Sequence, residues 1–207
     1  MSFIKEYGLW FVEKYGDFDE FPEPDELDKF LEEKGEIGGP TRIWEFATDY
    51  MTEAVEFYDA RPPKWDAFIS YAGTQRSFVV APIAKKLRER GLDIWYDRVN
   101  YPSQRGWPGR LYGMISDGVA MSRVGVVFVS PEYLRRRWPP IEYAGLQLKG
   151  YARLFFVLHR CKVKDLRALD PDLPRPLRQA GINVAYTSRS SNEAIADRLA
   201  KFIEAKR

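Results

Sequence analysis

At 207 residues, 45% hydrophobic and 15% aromatic, the chain carries enough apolar side chains to bury one full core plus an appendage, which excludes a disordered polypeptide. A single cysteine, Cys161, excludes an internal disulfide, and a single histidine, His159, leaves too few ligands for the usual zinc or thiol centres, so no metal is expected. The net charge of +2 conceals an asymmetry: Met1–Ala60 holds five Lys or Arg against seventeen Asp or Glu, a net −12, while Arg61–Arg207 holds 27 against 13, a net +14.

The amino terminus, MSFIKEYGLW, lacks the basic-then-apolar pattern of a signal peptide, and no apolar run approaches the ~20 residues that a membrane helix requires. A cytoplasmic protein with no membrane partner is the expectation. Met1–Ala60 reads as an acidic helical extension, with segments Ser2–Tyr15, Pro24–Lys34 and Pro40–Tyr58 separated by Gly- and Pro-bearing breaks. Its apolar positions, among them Trp10, Leu27, Phe30, Trp44, Met51 and Val55, fall at helical spacing and need cover, which the oppositely charged neighbouring domain is expected to supply, a partner protein being the alternative. Arg61, Pro62 and Pro63 form a stiff boundary before a second domain over residues 64–207.

From Lys64 the pattern alternates between strand and helix. Ala67–Ser70, Leu92–Tyr96, Gly125–Val129, Leu154–Leu158 and Asn183–Ala185 read as strands, and Phe78–Arg90, Gly109–Met121, Pro131–Leu148, Leu166–Gln179 and Asn192–Lys206 as helices. Five such alternations predict an α/β fold, a five-stranded parallel sheet covered on both faces. The common order 2-1-3-4-5 opens its ligand crevice beyond the carboxyl ends of the first and third strands. Those ends are Ser70–Arg76 and Ser130, beside a long loop over Asp97–Pro108.

The third strand and the helical stretch after it organise the rest. Gly125–Val129 is a run without alternation, as for a strand buried on both faces; Ser130 then offers an N-cap oxygen, Pro131 suits the first helical position and Glu132 the positive end of the helix dipole. Pro139 and Pro140 force a break and a restart near Trp138. With Pro140 opening the second segment, Glu142 is expected in its first turn, one turn from Trp138: an aromatic plate beside an anion.

Most familiar chemistries are absent. The first and third strand ends lack the carboxylates of a phosphoryl-accepting site, no Walker loop or GxGxxG occurs, and neither Ser70 nor Ser130 has a plausible histidine base, since the one histidine, His159, ends the fourth strand. Arg135, Arg136 and Arg137 read either as a solvated face or as contacts to a pyrophosphate or a neighbouring subunit. Nucleic acid is not an expected partner, because the +14 region lacks interleaved stacking aromatics.

Several linked stretches resemble a known family. WDAFISYAG at the first strand, LRERGLDIWYD through the second, ISDGVAMSRVGVVFVSPEYL into the third helix, and Trp138 with Glu142 in WPPIEY are similar to TIR domains over roughly Lys64–Arg207. The resemblance implies a flavodoxin-like fold, self-association into a homo-oligomer, and cleavage of NAD at its nicotinamide-ribosyl bond in immune or stress signalling. NAD would be the substrate, with no cofactor, and the ADP-ribosyl product would be hydrolysed or cyclised. By motif, the catalytic glutamate is Glu142 and its neighbouring tryptophan Trp138. Ser70, Tyr71, Asp97 and Ser130, at the ends of the first three strands, are the substrate-binding candidates. A single carboxylate suffices: nicotinamide leaves as a neutral base from a cationic pyridinium, so no second acid is required. The alternative is a non-catalytic adaptor that signals by assembly alone. The chain departs from the family pattern at Ala72-Gly73-Thr74-Gln75-Arg76, which lacks the usual acidic residue, and at Trp107 and Arg110 in the loop after the second strand.

Overall fold

The computed structural model describes residues 51–52, 54–58, 61–96, 115–135 and 138–207. Within them, β1 (Trp65–Tyr71), β2 (Ile94–Trp95), β3 (Ser122–Val129), β4 (Leu154–Leu158) and β5 (Asn183–Tyr186) form one parallel sheet in the order β2-β1-β3-β4-β5. The expected architecture and strand order are therefore present. β1, β3 and β4 are central and almost wholly buried, which is why their sequences are continuous β-branched and aromatic runs. The register pairs Ser70 with Val127 and Tyr71 with Phe128, so the carboxyl ends of β1 and β3 finish side by side.

Four helices with defined bounds, α1 (Ala81–Glu89), α2 (Pro131–Leu134), α3 (Trp138–Leu148) and α4 (Asn192–Glu204), cover the sheet, with helical residues at 51–52, 54–58 and 115–120. Strand alternation sorts the core into two clusters. Ala67, Ile69, Val124, Val126 and Val157 meet α1 and α4 through Ile83, Leu87, Ile195 and Leu199. On the other face, Phe68, Val127, Val129 and Phe156 meet Tyr143 and Leu146 of α3, Val119, and Met51, Ala54 and Val55 from the segment before β1.

Proline placement explains where the helices depart from the expected bounds. Before α1, the chain forms a 3₁₀ turn at Gly73–Gln75 and a widened π turn at Arg76–Val80, in which Ala81 N–H reaches Arg76 O. Pro82 has no N–H to give the Phe78 carbonyl, and the Asn192 side chain donates to that carbonyl instead at 3.3 Å. The helix expected over Leu166–Gln179 is not formed. A 3₁₀ segment, Val163–Ala168, is followed by turns, because Pro171, Pro174 and Pro176 interrupt the backbone hydrogen-bond ladder at short intervals.

The end of the sheet away from the β1 and β3 carboxyl termini is basic. A cavity of about 390 Å³ there is lined by Arg61, Arg123, Lys149, Arg153, Lys206 and Arg207, among others. Much of this charge serves helix carboxyl ends: Lys149 Nζ donates to Ala120 O at 2.6 Å and Arg123 Nη1 to Lys206 O at 3.2 Å. Arg207 instead pairs with Asp66 at 2.6 Å. The expected segments Ser2–Tyr15 and Pro24–Lys34, the part of Pro40–Tyr58 before Met51, the Asp97–Pro108 loop with Trp107, residues 109–114, Arg136 and Arg137 lie outside the described residues.

Candidate active site

Three elements bring one hydroxyl, one phenol and one carboxylate together at the β1–β3 end of the sheet. Period-two alternation along β1 turns Phe68 and Ala72 to the α3 side, and Ser70 with them, while Tyr71 packs on the opposite cluster. After β3, Ser130 caps α2 as expected, its Oγ accepting from Tyr133 N–H at 3.1 Å. That cap starts the helix so that Tyr133, on its first turn, lies over the end of the adjacent β1.

Glu142 is not in the first turn of its helix. α3 begins at Trp138 and takes both prolines into its first turn, where their absent N–H groups cost nothing, so the carboxylate sits one turn further in. Among the described residues, its carboxylate meets a side chain of β1. Ser70 Oγ donates to Glu142 Oε2 and is 2.8 Å from Tyr133 Oη. Ser70 and Tyr133 are both 0% exposed and Glu142 only 9%. Burial, and then the charge of Glu142, hold the Tyr133 phenol well above its ordinary pKa, against the opposing effect of Ser70. The phenol stays neutral and keeps its proton to donate.

α3 is held in place on three sides. Gly125 on β3 admits Leu146, Gly145 on α3 admits Met51, and buried Asp170 accepts from Tyr143 Oη at 2.8 Å and Tyr151 Oη at 3.0 Å. Around the rim, Tyr71 Oη accepts from Arg76 Nε at 2.8 Å and its ring meets that of Tyr96 at 6.4 Å. Glu132 pairs with Arg160, and His159 Nδ1 lies 2.9 Å from Thr187 Oγ1. The Glu132 carboxyl is lowered to about 2, first by its own backbone N–H and then by Arg160.

Of the residues singled out from sequence, the fold thus joins Ser70 to Glu142 and turns Tyr71 to the other face of the sheet. Ser130 is fully buried and its hydroxyl is occupied by the helix cap. Trp138 opens α3, one turn before Glu142; its side chain and Asp97 lie outside the described residues. Tyr133 was missed. The one signal in the sequence was the Ser130 cap, which fixes where α2 starts and so puts Tyr133 in its first turn. Among the described residues no cluster of three or more His, Cys, Asp or Glu could hold a metal ion, and no helix is long and apolar enough to cross a membrane.

The family model described as TIR domain matches residues 67–199. A 2′ cyclic ADP-D-ribose synthase, AbTIR, of Acinetobacter baumannii is 27% identical over 165 residues, which is 76% of this chain and 58% of that protein. An NAD(+) hydrolase, PdTIR, of Paracoccus denitrificans is 28% identical over 142 residues, covering 67% of this chain and 44% of that one. The chain thus spans about half the length of these relatives. Among solved structures, a metazoan TIR-STING receptor from C. gigas superimposes with a TM-score of 0.50 at 21% identity, over 69% of this chain and 40% of that chain. The strand order, the Trp138–Glu142 helix behind β3 and a family match spanning both establish that the chain belongs to the TIR domain family.

Proposed function

We propose that the protein cleaves NAD at the bond between nicotinamide and ribose, with Glu142 as the catalytic anion. The observation that carries the reading is a carboxylate, nine-tenths buried and hydrogen-bonded to Ser70, at the ligand-binding end of a sheet whose relatives include proteins named NAD(+) hydrolase and 2′ cyclic ADP-D-ribose synthase. The C–N bond electrons pass to the pyridinium nitrogen, which leaves as neutral nicotinamide. Positive charge then develops on the ribosyl carbon and ring oxygen, where a fixed carboxylate stabilises it. Water captures the ribosyl cation and releases a proton, giving ADP-ribose; capture by a hydroxyl of the same ADP-ribosyl group, with the same proton loss, gives a cyclic product. Trp138 would shape the pocket, and Tyr71 and Asp97 would line its mouth.

On the same reading the protein acts in immune or stress signalling in the cytoplasm, as a homo-oligomer through TIR–TIR contacts, with residues 1–60 as an acidic extension to a catalytic domain over 64–207. Incubating the purified chain with NAD tests the activity. Glu142→Gln removes the charge at nearly constant volume and is expected to lower nicotinamide release by about 10²–10³-fold with the fold intact. Undiminished turnover in that variant would exclude Glu142 as the catalytic group, and no release by the parent protein, at any concentration that permits assembly, would favour an adaptor.

A further inference from the structure

Resting on the reading of Glu142 as the reacting anion, we propose that Ser70 and Tyr133 are positioning residues, forming a two-step hydrogen-bond relay from phenol to hydroxyl to carboxylate that orients Glu142 and keeps it ionised. The proton count sets the direction of the relay. An ionised Glu142 can only accept, so Ser70 gives its one hydrogen to Oε2 and its contact with Tyr133 Oη at 2.8 Å is then one in which the phenol donates. Both hydrogens therefore point toward the carboxylate. This arrangement suits the anion; a protonated Glu142 presenting its own O–H to Ser70 would require both bonds to reverse.

Burial separates this role from substrate binding. Ser70 and Tyr133 are 0% exposed, so neither presents surface to a ligand. Tyr133 faces the carboxylate from α2 and Ser70 from β1. Next to Ser70, Tyr71 turns to the opposite face and binds Arg76; β3 ends in apolar Val129 and in Ser130, whose oxygen is occupied by Tyr133 N–H; and on α3 itself Tyr143 turns to Asp170. The relay thus supplies a donor to Oε2 from two side chains that are both fully buried.

The test reads Glu142 directly. With glutamate carrying ¹³C at its carboxyl, the Glu142 resonance is assigned by its loss in Glu142→Gln and titrated in the full chain. Ser70→Ala is expected to raise its midpoint by about one pH unit, the equivalent of one lost hydrogen bond to a charged group, and Tyr133→Phe to raise it by less. Ser70→Thr, which restores the hydroxyl, returns the midpoint toward the parent value. In NAD cleavage the acid limb of the pH profile moves upward by the same amount and kcat falls with KM nearly unchanged, whereas loss of a substrate ligand would raise KM. An unchanged midpoint in folded Ser70→Ala overturns the relay whatever the catalytic result. A shifted midpoint in a chain that releases no nicotinamide upholds the relay and overturns the NAD reading instead. Should Ser70→Ala not fold, Ser70→Cys, a weak donor of similar size, and Tyr133→Phe decide the same question by the same resonance.

Discussion

One hydrogen atom at Gly125 lets the helix that carries Glu142 lie against the sheet. A Cβ there would stand 2.8 Å from both Cδ atoms of Leu146, which is itself fully buried and has nowhere to retreat. Gly125→Ala is therefore expected to destabilise the protein by about 1–3 kcal/mol through overpacking and to displace α3. Urea unfolding measures the first effect; nicotinamide release at equal folded fraction measures the second, which should fall disproportionately because catalysis depends on the carboxylate's placement. Leu146→Ala in the Gly125→Ala background opens the needed space, so activity should partly return.

Among elements, α3 is fastened from behind by a buried carboxylate with neutral donors. Asp170 accepts from Tyr143 and Tyr151 and, at 3.3 Å, from Gln147 Nε2, joining the Pro-interrupted stretch after β4 to the last two turns of α3. Burial, then the hydrogen bond to Asp170, raises the Tyr143 phenol far above its ordinary value, and Tyr151 is raised by the same two causes in the same order. A pKa raised in the folded state means that unfolded tyrosine loses its proton first. The associated stability is thus complete below the usual tyrosine value of about 10 and is lost as pH rises beyond it toward the folded values. Tyr143→Phe should cost about 1 kcal/mol at pH 7 and flatten the alkaline decline in stability, a difference that urea midpoints at pH 7 and above pH 10 would reveal. Equal slopes in parent and variant would contradict this account of the network.

Across the whole molecule, the two ends of the sheet carry opposite tasks. The β1–β3 end holds the buried anion, and the other end gathers cations around helix carboxyl termini, with Asp66 at the start of β1 pairing with Arg207. Burial of Asp66 opposes its ionisation, but hydrogen bonds from Arg207 and Asp93 N–H with the charges of Arg207 and Arg123 outweigh it, so its pKa is lowered. A lowered folded value gives stability that is present above the ordinary aspartate range and lost as pH falls through the folded value. Because Arg207 is half exposed, Asp66→Asn is expected to cost only about 1 kcal/mol at pH 7 and to leave a shallower loss of stability below pH 4, checked by thermal melts across that range.

The order of strands and helices was legible because a parallel sheet buries both faces of its central strands. Each therefore appears as an unbroken apolar run, and Leu154–Leu158 matched at both ends. The Trp138–Glu142 spacing and the Ser130 cap were legible for a similarly local reason: helix periodicity and capping are settled within a few neighbouring residues. The helix expected over Leu166–Gln179 followed from the strand–helix alternation alone, and the prolines of residues 171–176 argued against it. Which groups meet was decided only by tertiary structure. Ser70 lies 63 residues from Tyr133 and 72 from Glu142, and strand parity, helix start and the close packing of α3 at Gly125 and Gly145 had to combine before their oxygens came within hydrogen-bonding reach. A serine at a strand end reads the same in sequence whether it faces solvent, substrate or a buried carboxylate; the face it takes depends on the elements packed beside it.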